Sequence, residues 1–401
     1  MLSLDLPSPA VAYVRWSFMR AIFHRGWWLV TSLYLVVDAQ LSPLQLVSLG
    51  TAQALTVLIF EIPTGVVADN YSRKWSIVVA HLLMGSAMLT TGLVTSFPAL
   101  VATQMVWGLS WTFSSGADVA WITDELDDPE KIVKVLSIAA RWGLLGAALG
   151  LCLFGGLAWL TNLATAIVLA GGSMLILGTY VAVRFTETRL SPSNKTTLSE
   201  FWTTLKSGSR LATSDRPVML ILVVTFLVNG ADEAFGRLIP KSLIELGLPS
   251  APDPIVWLTT LGLATLGVGA LTLRILEHRM RGNSSLRLLY LGACMLGASG
   301  LLLFALAPSP LIAMAGVLVV HGIAFNVVRM VGIIWMNDRS TSDVRATMQS
   351  FLSQAENFGE MSIGFCLGVI AQLYAISSAM FGAVVVVAIA ACLIFSKQNY
   401  R

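Results

Sequence analysis

The chain has 401 residues, 56% of them hydrophobic and only 12% charged, with a mean hydropathy of +0.78 and a formal net charge of +3. A soluble domain carries about 25% charged residues, so this composition excludes an ordinary globular fold and argues for a polytopic membrane protein. The 25 Lys and Arg are spread over short loops instead of gathered on one domain, which excludes nucleic acid as a partner.

Met1 to Ala10 has neither a basic stretch nor a small-residue cleavage pattern. The first apolar helix, not a cleaved signal peptide, is therefore expected to direct insertion. In chain order, windows of about 20 apolar residues, the length that crosses a bilayer as a helix, fall near 13–38, 46–68, 75–96, 98–121, 141–160 and 163–184. They resume near 217–239, 255–276, 286–306, 309–335, 348–371 and 375–396. Phe185 to Arg216 is polar and contains Pro192; it reads as a cytoplasmic linker with a short surface helix at Leu198–Leu211. The expected fold is all-α, with twelve transmembrane helices in two six-helix bundles, 1–184 and 217–401, joined by the linker 185–216.

With the N-terminus inside, all but five of the 25 Lys and Arg fall on the inner side. Arg237 and Lys241 lie outside, and Arg20, Arg25 and Arg329 lie within spans. That asymmetry places both termini in the cytoplasm; the chain is expected in the inner (plasma) membrane.

Polar residues inside the spans carry the functional signal, because a charge in the bilayer is costly and tends to face a cavity. In the first span Arg20, His24, Trp27, Thr31, Tyr34 and Asp38 follow steps of four and three and share one face. Arg20 can snorkel inward and Asp38 can touch the outer surface, but His24 and Trp27 are too deep for that. We read the stripe as cavity-lining. The fourth span adds Gln104, Gly108, Trp111, Ser115 and Asp118, the last a gate residue or an interfacial acid. Trp27 and Trp111 offer a face for an aromatic ring or a cation. Trp28 and Trp107 also sit away from the interfaces. The run Asp124 to Asp128 reads as a solvated loop. Gly143, Gly146, Gly150, Gly155 and Gly156 in the fifth span suit close helix packing.

In the second half, the seventh span carries Thr225, Asn229, Asp232 and Glu233, with Arg237 one turn on. Glu233 and Arg237 at i,i+4 can form a structural pair, which leaves Asp232 the freer proton carrier. His321 is an interhelical donor or a titrating group, and Arg329 calls for a carboxylate partner. In span 11 Gln349, Ser353, Glu356 and Glu360 share a face. Two carboxylates one turn apart disfavour double ionisation and can hold a proton; alternatively one of them pairs with Arg20, Arg25 or Arg329. We assign Arg20, His24, Trp27, Thr31, Tyr34, Gln104, Trp111, Asn229 and His321 to substrate binding. Asp232, Glu233, Glu356 and Glu360 are assigned to proton coupling. The cysteines Cys152, Cys294, Cys366 and Cys392 lie far apart inside apolar runs and read as small hydrophobes. With no nucleophile–base group, phosphate loop or metal-ligand spacing, neither an enzyme nor a cofactor is expected.

Between the second and third spans stands Glu61-Ile-Pro-Thr-Gly-Val-Val-Ala-Asp-Asn-Tyr-Ser-Arg-Lys74. Its spacing Gly65-x-x-x-Asp69-x-x-x-Arg73-Lys74 resembles the helix 2–3 loop of major facilitator superfamily transporters, with Ser72 where the family has glycine. Six spans, a linker and six spans resembles that family's organisation as well. The matching loop between spans 8 and 9 keeps the basic residues Arg274 to Arg281 but has Leu273 at the aspartate position. The glycine-rich fifth span resembles the family's antiporter motif without its Gly-Pro pair, and Gln104 replaces an arginine found in proton-coupled members.

The resemblance implies alternating access by rocking of two halves. It also implies close packing at Gly65, a contact of Asp69 with the start of span 11, and a cytoplasmic lock made by Arg73 and Lys74, with Arg345 as an added partner. The protein is expected to be a proton-driven exporter of small amphipathic molecules, similar to drug/proton antiporters, working as a monomer in the lipid bilayer. The alternatives are a proton-coupled importer or exchanger of an organic anion clamped by Arg20, His24 and Arg25, or a non-transporting membrane receptor.

Overall fold

The computed structural model describes residues 7–188, 215–280, 286–339 and 345–396, with the backbone alone at 278–280, 339 and 345–347. Among the described residues every regular element is helical. In order they are α1 (Ser8–Val37), α2 (Pro43–Asn70), α3 (Arg73–Thr91), α4 (Phe97–Ser114), α5 (Ala117–Leu126), α6 (Pro129–Leu160) and α7 (Leu163–Arg184). The second half has α8 (Arg216–Glu245), α9 (Pro254–Met280), α10 (Leu286–Ala305), α11 (Pro310–Val317), α12 (Phe325–Arg339), α13 (Arg345–Gly359), α14 (Phe365–Leu373) and α15 (Ile376–Ser396). Two π-helical segments, Leu318–Ala324 and Glu360–Gly364, join α11 to α12 and α13 to α14. Eight helices among the described residues are long and apolar enough to cross a membrane.

Helix starts follow local chemistry. Ser72, Asp128, Asn162 and Asp215 each accept a hydrogen bond from a first-turn N–H of α3, α6, α7 and α8, satisfying donors that have no intrahelical partner. Asp128 with Pro129 starts α6 well before the expected 141, so the acidic stretch is partly a cap and not only a solvated loop. The Lys131 ammonium, hydrogen-bonded to Asp128 at 2.9 Å, holds that exposed carboxyl below its ordinary range. The span expected at 98–121 is not continuous. Gly116, with φ +78°, breaks it into α4 and α5, and a side chain there would be strained. The helix expected at Leu198–Leu211 lies outside the described residues.

The chain divides into two compact units that do not follow chain order. Unit 1 comprises Met1–Gln40, Leu55–Thr197 and Ile255–Thr259; unit 2 comprises Leu41–Ala54, Leu198–Pro254 and Thr260–Arg401. The first turns of α2 therefore belong with the C-terminal half, where Leu44 N–H donates to Gln372 and Gly368 abuts Val47.

In unit 1, α1 packs along α6 and α7, and α3 lies against α4 and α7. Glycine makes the α1–α6 approach possible: a Cβ on Gly146 would stand 2.5 Å from the Phe18 carbonyl oxygen, and one on Gly150 would meet the Ile22 backbone. The N-terminal part of α1 is held by rings. Trp121 stacks on Phe185 at 3.9 Å, and Trp16 donates its indole N–H to His81 Nε2 at 3.0 Å while His81 Nδ1 reaches Ile77 O at 2.7 Å. In unit 2, Val218 and Ile221 of α8 pack with Met336 of α12 and with Met348 and Leu352 of α13.

Candidate functional site

The polar face of α1 meets α4 in unit 1 through aromatic rings. The Arg20 guanidinium lies 5.3 Å from the ring centres of both Trp16 and Trp111 and 3.8 Å from Asp118. Asp118 belongs to the first turn of α5, beyond the break at Gly116, where the helix dipole favours an acid. One turn further, His24 stacks on Trp107 at 5.5 Å. Trp27, fully buried, lies parallel to Trp107 at 6.3 Å, and Trp107 parallel to Trp111 at 5.7 Å.

Five buried polar atoms on these two helices have no hydrogen-bond partner among the described residues: His24 Nε2, Trp27 Nε1, Thr31 Oγ1, Gln104 Oε1 and Trp107 Nε1. An unpaired buried donor or acceptor costs about 1–3 kcal/mol. Tyr34 is a different case, since its hydroxyl donates to Val94 O at 3.0 Å and anchors the loop after α3. Asp38 follows the last turn of α1 as its C-cap. The sequence reading left Trp107 out of the binding set although it is the centre of the stack. Its position midway between Gln104 and Trp111 on one helical face was the available signal.

The carboxylates of the second half meet in unit 2. Asn229 and Asp232 of α8, Tyr290 of α10, Arg329 of α12 and Glu356 of α13 line a narrow cleft of about 20 Å³. Asp232 Oδ1 lies 2.7 Å from His321 Nε2, an ion pair when the imidazole is protonated and an N–H···O bond when the neutral ring carries its proton there. Asp232 is thus not free, and its partner stands 89 residues away, beyond the reach of any helical spacing. His321 sits in the first π-helical segment and Glu360 opens the second; such segments recur at functional sites in helices.

Asn229 spends its amide N–H on Thr225 O at 2.9 Å. Glu233 accepts from Arg237 Nε at 2.8 Å, and Arg237 also donates to Gln53 at 3.2 Å, which makes a nearly buried pair. Arg329 is exposed and forms no ion pair among the described residues.

The hinge motif is bound into unit 1. Arg73 pairs with Asp124, reaches Asp69 at 3.7 Å and donates to Ala120 O at 3.1 Å. Ser72 caps α3 through Trp75 N–H at 3.0 Å and also donates to Glu187, while the Arg73 N–H donates to the same carboxylate at 2.8 Å. Thr186 and Thr188 on either side of Glu187 are held by Trp121 and Glu125. The backbone N–H of Lys74 also donates to Glu187, at 3.2 Å, and its ammonium lies 5.7 Å from the Trp75 ring centre. The serine that departs from the family pattern therefore ties the segment after α7 to the start of α3. Ser72→Ala is expected to lose about 1 kcal/mol, measurable as a lower unfolding temperature in detergent, and Ser72→Gly only a few tenths. Among the described residues a Cβ on Gly65, for which the resemblance implies close packing, would meet nothing within 4 Å. Arg345 opens α13, and its side chain lies outside the described residues.

Comparison with known proteins adds independent support. The sequence profile described as Major Facilitator Superfamily matches residues 16–361. An uncharacterised MFS-type transporter, YxaM of Bacillus subtilis (strain 168), is 22% identical over 348 residues, 86% of this chain and 84% of the relative. Among solved structures, the nucleoside transporter NupG superposes with a TM-score of 0.80 at 14% identity, over 98% of this chain and 99% of that one. A POT family transporter in complex with a thioalcohol-conjugated peptide gives 0.75 at 12% identity, over 97% and 96%. A bacterial homologue of the lysosomal transporter Spinster gives 0.69 at 15%, over 97% and 96%. At these identities the solved structures speak for the fold alone. A profile match over most of the chain, on an all-helical fold of this hydropathy, makes this integral membrane protein a member of the Major Facilitator Superfamily and a transporter of that type.

Proposed function

We propose that the protein is a proton-coupled secondary transporter that exports small amphipathic molecules by alternating access. The observation that carries the coupling is the Asp232–His321 pair on an intramembrane cleft that also holds Glu356 and Arg329. A carboxylate and an imidazole in hydrogen-bond contact can take up or release one proton while keeping each other solvated, as an ionisable group inside a membrane must be. Glu356 and Glu360, one turn apart, offer further exchange sites. The glycine-rich α6 supports export through its resemblance to antiporters, although packing against α1 already accounts for Gly146 and Gly150.

In proteoliposomes loaded with a fluorescent amphipathic dye, Asp232→Asn, Glu356→Gln and Glu360→Gln are each expected to abolish flux driven by a pH gradient. Undiminished flux in all three removes the coupling scheme.

A second reading, import or exchange of an organic anion, is favoured by Arg329, which lines the cleft and forms no ion pair among the described residues. Arg20 is a weaker anion anchor because Asp118 already faces it at 3.8 Å. Loss of anion transport in Arg329→Gln together with its retention in Arg20→Gln selects that reading.

A further inference from the structure

The N-terminal part of α1 and the C-terminal end of α7 meet in unit 1 at one polar contact. The Tyr180 hydroxyl of α7 donates to Ala12 O of α1 at 3.4 Å, well beyond the length of about 2.7–2.8 Å usual for a hydroxyl donor. Arg15 stands three residues on from Ala12, and Arg184 four on from Tyr180, one helical turn in each case. The two guanidinium groups therefore flank the same hydroxyl, close enough for both charges to act on it.

Both arginines are exposed. Other cations of unit 1 are matched: Arg20 faces Asp118, Arg73 pairs with Asp124, and Lys131 with Asp128. Arg15 and Arg184 form no ion pair among the described residues. Arg184 complements the C-terminal dipole of α7, but Arg15 lies toward the positive end of α1. Snorkelling explains a single exposed arginine near a helix end. It does not explain two that converge on one hydroxyl.

The surface beside this contact is apolar. Leu169, Ile176 and Val183, seven residues apart, keep to one face of α7 and are 49%, 71% and 71% exposed. In a membrane helix such a face meets acyl chains. Tyr180 and Arg184 stand at its edge, so charge and apolar surface adjoin. A phosphate takes forked hydrogen bonds from a guanidinium, and Tyr180 can exchange its long bond to Ala12 for one to a phosphate oxygen. A soluble anion would use the charges but leave the apolar face without a role. A zwitterionic lipid would bring its own cation against the arginine pair.

We propose that Arg15, Tyr180 and Arg184 bind the headgroup of an anionic phospholipid whose acyl chains lie along Leu169, Ile176 and Val183. The site stands apart from the substrate and coupling assignments and does not depend on them.

The test is native mass spectrometry of the delipidated full-length protein in detergent, titrated with phosphatidylglycerol or with phosphatidylcholine of the same acyl chains. Phosphatidylglycerol is expected to bind in preference. Arg15→Gln and Arg184→Gln should each weaken it about fivefold, and the double variant about thirtyfold, with phosphatidylcholine unchanged. Lys134→Gln removes the same charge from an exposed position on α6 and should leave both lipids unaffected. Each variant is checked for a monodisperse size-exclusion peak. Equal binding of the two lipids by the native protein overturns the proposal, as does a double variant that keeps the preference. If Lys134→Gln weakens phosphatidylglycerol as much as Arg15→Gln does, net charge and not this site sets the affinity, and the proposal falls. If glycerophosphoglycerol, the headgroup without chains, displaces the lipid at equal concentration, the site serves free phosphates and the lipid assignment falls.

Discussion

Arg237→Leu is expected to destabilise unit 2 by about 3–5 kcal/mol, the usual result of removing one member of a buried ion pair. Arg237 and Glu233 have side-chain exposures of only 7% and 18%, and their contact is 2.8 Å. The pair is seated against bare backbone: a Cβ on Gly50 would collide with the Glu233 carboxylate. Without the guanidinium, the Glu233 carboxyl would be left in a low-dielectric setting with this partner gone, and Gln53 would lose a donor. The double variant Glu233→Gln/Arg237→Leu is expected to recover most of the loss, because no uncompensated charge remains. Thermal unfolding of the two proteins in detergent measures the difference. Equal destabilisation in both would show that packing, not charge, holds this corner.

Gly150→Ala and Gly156→Ala, six residues apart on α6, are expected to move stability in opposite directions. At Gly150 the added methyl would press on the Ile22 backbone of α1, with the Ile22 Cα only 2.9 Å away. Backbone cannot swing aside as a side chain can, so α1 must shift. We expect a loss of about 3 kcal/mol, the upper range of overpacking penalties, seen as a lower unfolding temperature and a poorer size-exclusion profile. At Gly156 a Cβ would meet nothing within 4 Å among the described residues, and alanine should gain up to about 1 kcal/mol from helix propensity. If both substitutions prove neutral, the glycines of α6 do not serve close packing, and the antiporter-like content of the helix would need another cause.

These two experiments address features that differ in how far local sequence reveals them. The i,i+4 spacing of Glu233 and Arg237 places them on one turn of one helix, so their pairing was open to reading. The use of Gly150 was not, because a run of glycines says that something approaches closely but not what does. The same division holds for the two candidate sites. The stripe from Arg20 to Thr31 follows from helical periodicity, yet its ring partners on α4, and the fact that three of its polar atoms and two on α4 find no bond among the described residues, belong to the packing of two helices distant in the chain.

The sequence by itself determined the solvent this chain folds in and the helices it folds into. Hydropathy is summed residue by residue, and a helix closes its hydrogen bonds within four residues, so both are local properties. Caps at Ser72, Asp128, Asn162 and Asp215 are local for the same reason. Only the tertiary structure decided which charge meets which. His321 reaches Asp232 across 89 residues and Arg73 reaches Asp124 across 51, distances that no helical period encodes. It also decided where helices depart from regularity, at Gly116 and in the π-helical turns of His321 and Glu360. There the demands of neighbouring helices outweigh the chain's own periodicity, and there most of the candidate chemistry lies.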